Sequence, residues 1–555
     1  MKFFRIVLSS AGLAMMVQPV AWGQLTPPAP PQMEAASSAR RVAPQTIHQP
    51  TYGYAEALEV DSTPAIPTAF GSECGCEPEC ETVGCDPTCE SVGCDPAVGC
   101  GCCDEEKKKA LAAAAAGAHK GVYYANDFSY LKDPCYKGSE LGDSLKGMKI
   151  NDWLTIDVGG EYRARFHSEQ NMRGLGLTGR DDDFLLHRNR VYLNAKIGDR
   201  ARFYAEYIDA VSFYEDFGPR PIEENRSDVL NFFADLTLLD DCKGKLIGRI
   251  GRQELLYGEQ RLVSPLDWAN TRRTFDGVKL MWQGKDWNVD GFWTRPVIVD
   301  THNFDNPDNQ QQFYGLWATY KGFENDQLDL YWLGYENSEL SNFAVRNRTL
   351  GTFHYQTVGA RYLAGKGPTQ ALLQGAYQFG QNDGENDHSA GFFVIGAGHK
   401  FEDVSWSPQV WLYYDWASGD ADNLPYNQLF PLAHKYLGFM DFFSRSNIED
   451  INATLALSPH KKVKLLAWYH LFYLQDGDDV AYNIVGRPIS PVAGGSQYLG
   501  QELDLIAQYT FGPRSNIIFG YSHFFTGDWY ETNPVASTGF TGDADFFYTQ
   551  YTLQF

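Results

Sequence analysis

Beyond its first twenty residues the sequence has no long apolar run. A helix that crosses a bilayer needs about 20 such residues, so helical spans are not expected. The nearest candidate, 110–118, is mostly alanine behind Lys107, Lys108 and Lys109 and reads as a short helix or spacer. Basic charge is scarce as well. Forty-six Lys and Arg against 70 Asp and Glu leave a net charge of −24, which argues against nucleic acid as a partner. Catalytic signatures are missing: there is no HExxH or GxSxG, the 12 histidines are scattered, and no carboxylate pair stands out. Neither an enzyme nor a cofactor is expected. Cysteine is confined, with nine of 11 lying between Cys74 and Cys103.

What is present begins with an address. Lys2 and Arg5 precede an apolar stretch, 6–20, and Ala21-Trp22-Gly23 resembles a small-x-small cleavage site. Residues 1–23 therefore read as a secretory signal, which makes disulfides permissible. Residues 24–70 are rich in Pro, Ala and Ser and read as a disordered linker. Residues 71–145 read as a periplasmic, cysteine-rich segment with a short helix. Its cysteines are Cys74, Cys76, Cys80, Cys85, Cys89, Cys94, Cys100, Cys102 and Cys103. No histidine lies among them and their spacing fits no zinc ribbon, so a disulfide-stapled module is favoured over a metal site. Nine is odd, and Cys135 is the nearest outside partner.

Aromatics make up 14% of the chain and glycines number 53, yet mean hydropathy is −0.37. An exported chain of that kind suits a transmembrane antiparallel β-barrel, an all-β fold whose strands are only half apolar. From 150 to 555 the pattern follows. In 154–166, Ile156, Val158, Tyr162, Ala164 and Phe166 oppose Asp157, Glu161, Arg163 and Arg165. In 187–198, Val191, Leu193, Ala195 and Ile197 oppose Arg188 and Arg190. Comparable segments recur to the final FFYTQYTLQF. Their connections alternate between short turns, such as 198–200 and 284–286, and long polar loops, such as 253–274 and 418–447. Eight short turns and nine long loops imply about eighteen strands, with short periplasmic turns and long extracellular loops.

A barrel in lipid puts its polar face inward, and arginines dominate that face here. Arg249 is out of phase with Gly248 and Ile250; Arg252, Arg261, Arg272 and Arg273 follow it in what reads as an ordered loop. The stretch GRQELLYGEQRLVSPLDWANTRRTFDGV, 251–278, resembles the alginate export porin family. That resemblance extends over roughly 153–555, and the cysteine-rich extension departs from it. It implies a monomeric barrel of about eighteen strands whose arginine-rich lumen lets a polyuronate leave the periplasm. It also implies that Arg249, Arg252, Gln253, Glu254, Arg272, Arg273 and Asp276 belong to the constriction. Alternation alone adds Arg163, Arg165, Arg188, Arg190 and Arg361 to the lumen.

The chemistry suits an anionic passenger. A narrow pore strips water from each carboxylate, and Arg replaces it with a permanent charge and a planar fork of donors. Glu161, Glu206, Asp235 and Asp276 can hold the arginines by pairing. The bland alternative is that Arg and Asp merely satisfy one another across a filled lumen. Trp282, Trp287, Trp293, Trp317, Trp332, Trp411 and Trp416 read first as interfacial girdles, though Trp317, Trp411 and Trp468 have inward parity and could stack on sugars. The acidic loop clusters 181–183, 420–422, 476–479 and 543–545 match no calcium loop and read as a solvated rim. Three functions follow in order: a channel exporting an anionic polysaccharide, a general or anion-selective porin, and a barrel anchoring the cysteine-rich module to the envelope. The expected partners are the polysaccharide, outer-membrane lipid and the barrel assembly machinery, with periplasmic export or cell-wall components beyond those.

Overall fold

The structure is a computed structural model. It describes residues 105–555 apart from 324, 339–342, 346–347, 351, 366 and 383–385. The signal, the linker and the nine clustered cysteines lie outside the described residues.

Eighteen strands form the barrel. They are β1 (Leu154–Gln170), β2 (Asp182–Ile197), β3 (Ala201–Phe213), β4 (Asn225–Asp241), β5 (Gly244–Gln253) and β6 (Phe275–Gly284). Next come β7 (Trp287–Ile298), β8 (Gln311–Tyr320), β9 (Gln327–Asn337), β10 (Phe353–Ala364), β11 (Thr369–Asn382) and β12 (Asn386–Lys400). The last six are β13 (Gln409–Ala417), β14 (Ile448–His460), β15 (Val463–Tyr473), β16 (Tyr498–Gly512), β17 (Ser515–Thr526) and β18 (Ala544–Gln554). Each pairs antiparallel with its neighbour in sequence, and β18 returns to β1 with Glu161 opposite Gln554 and Gln170 opposite Asp545. The ring is closed, so the sheet has no open edge.

Alternation decides which side of the wall each residue occupies. On β5, Ile250 is 64% exposed to the outside while the neighbouring Arg249 is 6% exposed. Val191, Leu193, Leu280, Leu330 and Leu412 join Ile250 on the outer face, where lipid replaces water. Trp287, Trp293 and Trp332 are exposed on that face too, as a girdle requires. Trp317 and Trp411 are buried instead, which corrects their assignment to the girdle. Trp317 lies between the rings of Tyr331, at 4.6 Å, and Tyr257, at 5.2 Å, so both its faces are covered and no sugar can stack there.

Two of the long loops do not stand in solvent. Loop 254–274 and loop 418–447 fold inward and carry an apolar core into the barrel, with Leu255, Leu262, Val263, Phe430, Leu432 and Phe439 all buried. Main-chain hydrogen bonds fasten the two loops together: Ser264 N donates to Phe430 O at 2.9 Å and Phe430 N to Leu262 O at 2.9 Å. Loop 254–274 holds Gln260, Leu266 and Arg272 at φ of 68°, 71° and 61°. Such left-handed non-glycine residues each cost on the order of 1–3 kcal/mol and persist only where the surroundings over-determine them. The acidic rim is also partly drawn in. Asp182 is buried against Arg173, at 2.9 Å, and Asp479 is buried while accepting from Tyr482.

At the other end, residues 105–147 pack across the short-turn mouth. An alanine-rich helix, α1 (Glu105–Ala116), has the propensity to form alone and stops at Gly117. Short 3₁₀ turns at Tyr123–Ala125 and Ser129–Lys132 follow. Cys135 is buried and disulfide-bonded.

Candidate functional site

Strands β1 to β5 form one wall of the lumen, and its inward side chains rise in levels about 6–7 Å apart, two residues of strand each. Nearest the short-turn mouth, Arg249 clamps Asp235 with two contacts of 2.7 and 3.0 Å, and Arg202 approaches the same carboxylate at 3.7 Å. At the next level Arg190 pairs with Glu206 at 2.6 Å and Arg188 with Glu161 at 2.7 Å. Arg163 and then Arg165 stand above them on β1. Further out, Arg220 binds Glu169 at 2.5 Å and Arg173 binds Glu223 at 2.8 Å.

Loop 254–274 supplies the opposite half of this constriction. Its main chain turns carbonyls toward the guanidiniums. Arg163 Nη1 donates to Asp267 O at 2.6 Å, Arg165 Nη2 to Trp268 O at 2.8 Å, and Arg188 Nη1 to Ala269 O at 3.1 Å. The Arg165 guanidinium also lies 3.6 Å above the Trp268 ring. The Asp267 side chain is the hub: it pairs with Arg188 at 2.6 Å, with Arg272, and with Arg163 at 4.0 Å. Arg272 reaches back to Glu254, whose carboxylate also accepts from Asn231 at 3.0 Å.

The linked cluster comprises the guanidiniums of Arg163, Arg165, Arg188, Arg190 and Arg272 with the carboxylates of Glu161, Glu206, Glu254 and Asp267. Cations exceed anions by one, and much of the pairing is to carbonyl dipoles. Within this cluster each guanidinium is solvated by protein groups. Buried charges on this scale are stable only because their hydrogen-bonding capacity is met.

The structure brings Arg163, Arg165, Arg188, Arg190, Arg249, Gln253, Glu254 and Arg272 onto this side of the lumen, all buried. Arg273 is also buried, with its guanidinium 5.1 Å from the Phe430 ring. Arg361 lies across the bore on β10, tied to Asp329 at 2.6 Å and to Glu259 of the inward loop at 2.8 Å. Arg252 and Asp276 are the exceptions. They pair with each other at 2.8 Å, but β5 runs on through Gln253, and three steps from Arg249 put Arg252 on the outer face. Its register partner Phe232 is 53% exposed there, so both residues belong to the outside of the wall.

A second set went unnoticed in the sequence although its inward parity was visible. On β13 to β16 the inner face carries Asp415, Asp450, His470, Glu502 and Asp504, all buried. His470 Nδ1 sits 2.9 Å from Asp450, Met440 N donates to Glu502 at 2.7 Å, and Arg445 of loop 418–447 binds Asp415 at 2.6 Å. A cleft lined by Arg165, His167, Glu169, Arg220, Trp268 and Asp441 lies toward the long-loop side.

A closed antiparallel barrel with lipid-facing aliphatics outside and a charged, loop-constricted bore is an outer-membrane channel. Residues 154–542 match the alginate export family, and the chain belongs to that family. No curated protein matches it. Among solved structures, Pseudomonas aeruginosa OpdO is similar at 10% identity, covering 72% of this chain and 97% of its own, with a TM-score of 0.49. OccK8 (OprE) of the same organism is 10% identical, covers 72% of this chain and 98% of its own, and has a TM-score of 0.48. OpdQ, also from that organism, is 12% identical, covering 72% and 97%, with a TM-score of 0.48.

Proposed function

We propose that this channel passes an anionic polysaccharide, an alginate-like polyuronate, outward across the outer membrane, with residues 71–145 on the periplasmic side. The observation that carries the reading is the file of buried guanidiniums on β1 and β2, faced by main-chain carbonyls of loop 254–274. Carbonyl dipoles are weak stand-ins for carboxylates. A uronate displacing one gains a charge-assisted bond in a low-dielectric bore, and many such sites in series allow sliding rather than trapping. The barrel acts as a monomer in lipid, delivered there by the assembly machinery.

Planar-bilayer recording tests this. The reading predicts anion selectivity, a smaller anion preference in Arg272→Gln, and reversible block by polyuronate but not by neutral glucan. Selectivity for cations, or no block, removes the polymer from the account. The dense filling of the bore favours one competitor, a structural barrel that anchors the envelope; that reading predicts no conductance under any condition.

A further inference from the structure

Resting on the guanidinium pathway just described, we propose that residues 118–147 are a built-in strap that closes the periplasmic mouth by occupying the arginines the polymer needs. Its tip, Gly121 to Tyr124, enters the bore. Arg272 Nη2 donates to Gly121 O at 2.7 Å, and Arg202 Nη2 to Tyr124 O at 2.6 Å. The Arg190 guanidinium lies 3.9 Å over the Tyr123 ring, and Arg249 lies 4.4 Å over Tyr124. Tyr123 Oη donates to the Glu161 carboxylate at 2.6 Å and Tyr124 Oη to the main-chain carbonyl of Glu254 at 2.8 Å, so the tip also takes one of the acids that balance those arginines. Four guanidiniums of the pathway are thereby covered by carbonyl oxygens and ring faces, the groups a carboxylate would outcompete.

The strap has a second anchor away from the bore. Arg514, in the turn between β16 and β17, donates to Ala115 O at 3.1 Å and to Tyr130 Oη at 2.5 Å, and pairs with Asp143 at 3.0 Å. Tyr130 packs with Ala118, Phe128 and, from α1, Ala115 into a small core apart from the barrel wall, so the segment moves as a unit. Tyr123 and Tyr124 instead pack on Tyr192, Tyr204 and Phe233 of the barrel wall. Release requires that the tip leave the ring stack, that its guanidiniums take another acceptor, and that the Arg514 contacts at the rim let go.

The test is single-channel recording of the full chain in planar bilayers, comparing wild type with Tyr123→Ala/Tyr124→Ala and with Arg514→Gln. Heat-modifiable migration on gels confirms that each barrel is folded. The inference predicts that each variant raises the open-to-closed ratio by at least about tenfold, the effect of removing one or more charge-assisted contacts from the closed state. If the tip variant does not fold, Arg514→Gln, which leaves the bore intact, carries the same prediction. Folded variants that conduct like wild type overturn the strap. An opened variant that prefers cations sinks the polyuronate pathway while leaving the strap standing, so the two failures are told apart.

Discussion

The two walls of the bore are satisfied in opposite senses. On β1 to β5 guanidiniums face inward, and the loop opposite them, 254–274, offers carbonyls through Asp267, Trp268 and Ala269. On β13 to β16 carboxylates face inward, and the loop opposite them, 418–447, offers an N–H from Met440 and a guanidinium from Arg445. The loops are thus matched to the walls by the polarity of the groups they expose, main-chain carbonyls on one and an N–H with a guanidinium on the other. The difference teaches how a plugged barrel can have a defined interior: each loop fits one wall, and the pair is joined at Val263 and Phe430. Under the proposed polyuronate reading, a polyanion is attracted to one wall and repelled by the other.

The sharpest way to break the comparison is to remove the hub of the first wall. Asp267→Ala takes the shared carboxylate from Arg163, Arg188 and Arg272 and leaves them Glu161, Glu254 and main-chain carbonyls; breaking a buried pair costs up to about 3–5 kcal/mol, read as a lower midpoint of denaturant unfolding in micelles. The matching change on the second wall, Glu502→Gln, is expected to cost under about 1.5 kcal/mol. The carboxylate there lies beside Asp504, a like charge, and the amide oxygen still accepts from Met440 N. Equal losses from the two substitutions would show that the walls are not electrically distinct.

A smaller effect concerns pH. Glu215, in loop 214–224, is pushed up to about 7 by burial, reinforced by Glu223. Its folded form therefore holds a proton that the unfolded loop, with an ordinary carboxylate, has already lost. Loop closure is strongest at low pH and weakens as pH rises from the ordinary carboxylate range through about 7. Hydrogen exchange of 214–224 should be slower at acid than at alkaline pH, and Glu215→Gln should flatten that dependence. An exchange profile in wild type that, corrected for intrinsic rates, is flat across the range contradicts the assignment. Smallest of all in its effect on the passage, Arg252→Gln loosens the rim contacts of Arg252 with Asp276, Asp228 and the Asp305 carbonyl, lowers stability, and leaves ion selectivity unchanged. A change in selectivity would return Arg252 to the bore.

Most of the barrel was legible because lipid and lumen impose a period of two that runs through whole strands. Arg163, Arg165, Arg188 and Arg190 followed from that period directly. Arg252 and Asp276 entered the constriction through the family resemblance; counting three steps from Arg249 puts Arg252, and with it Asp276, on the other face. Trp317 and Trp411 show a different limit. A tryptophan near a strand end suits a girdle and a lumen equally until parity is weighed above position. The inward fold of loops 254–274 and 418–447 was hidden, since Phe430, Leu432 and Phe439 have no periodic signal and their burial depends on a partner loop more than 150 residues away. Tyr123 and Tyr124 carried no signal either, because their partners are guanidiniums supplied by other strands.

The most direct test of the guanidinium wall is release of a labelled oligouronate from proteoliposomes containing the full-length protein, against a neutral glucan of equal length. The account predicts that the oligouronate is released and the glucan retained, and that Arg163→Gln slows the release in a barrel that still migrates as folded. Equal release of both polymers, or oligouronate release unaffected by Arg163→Gln, would contradict it.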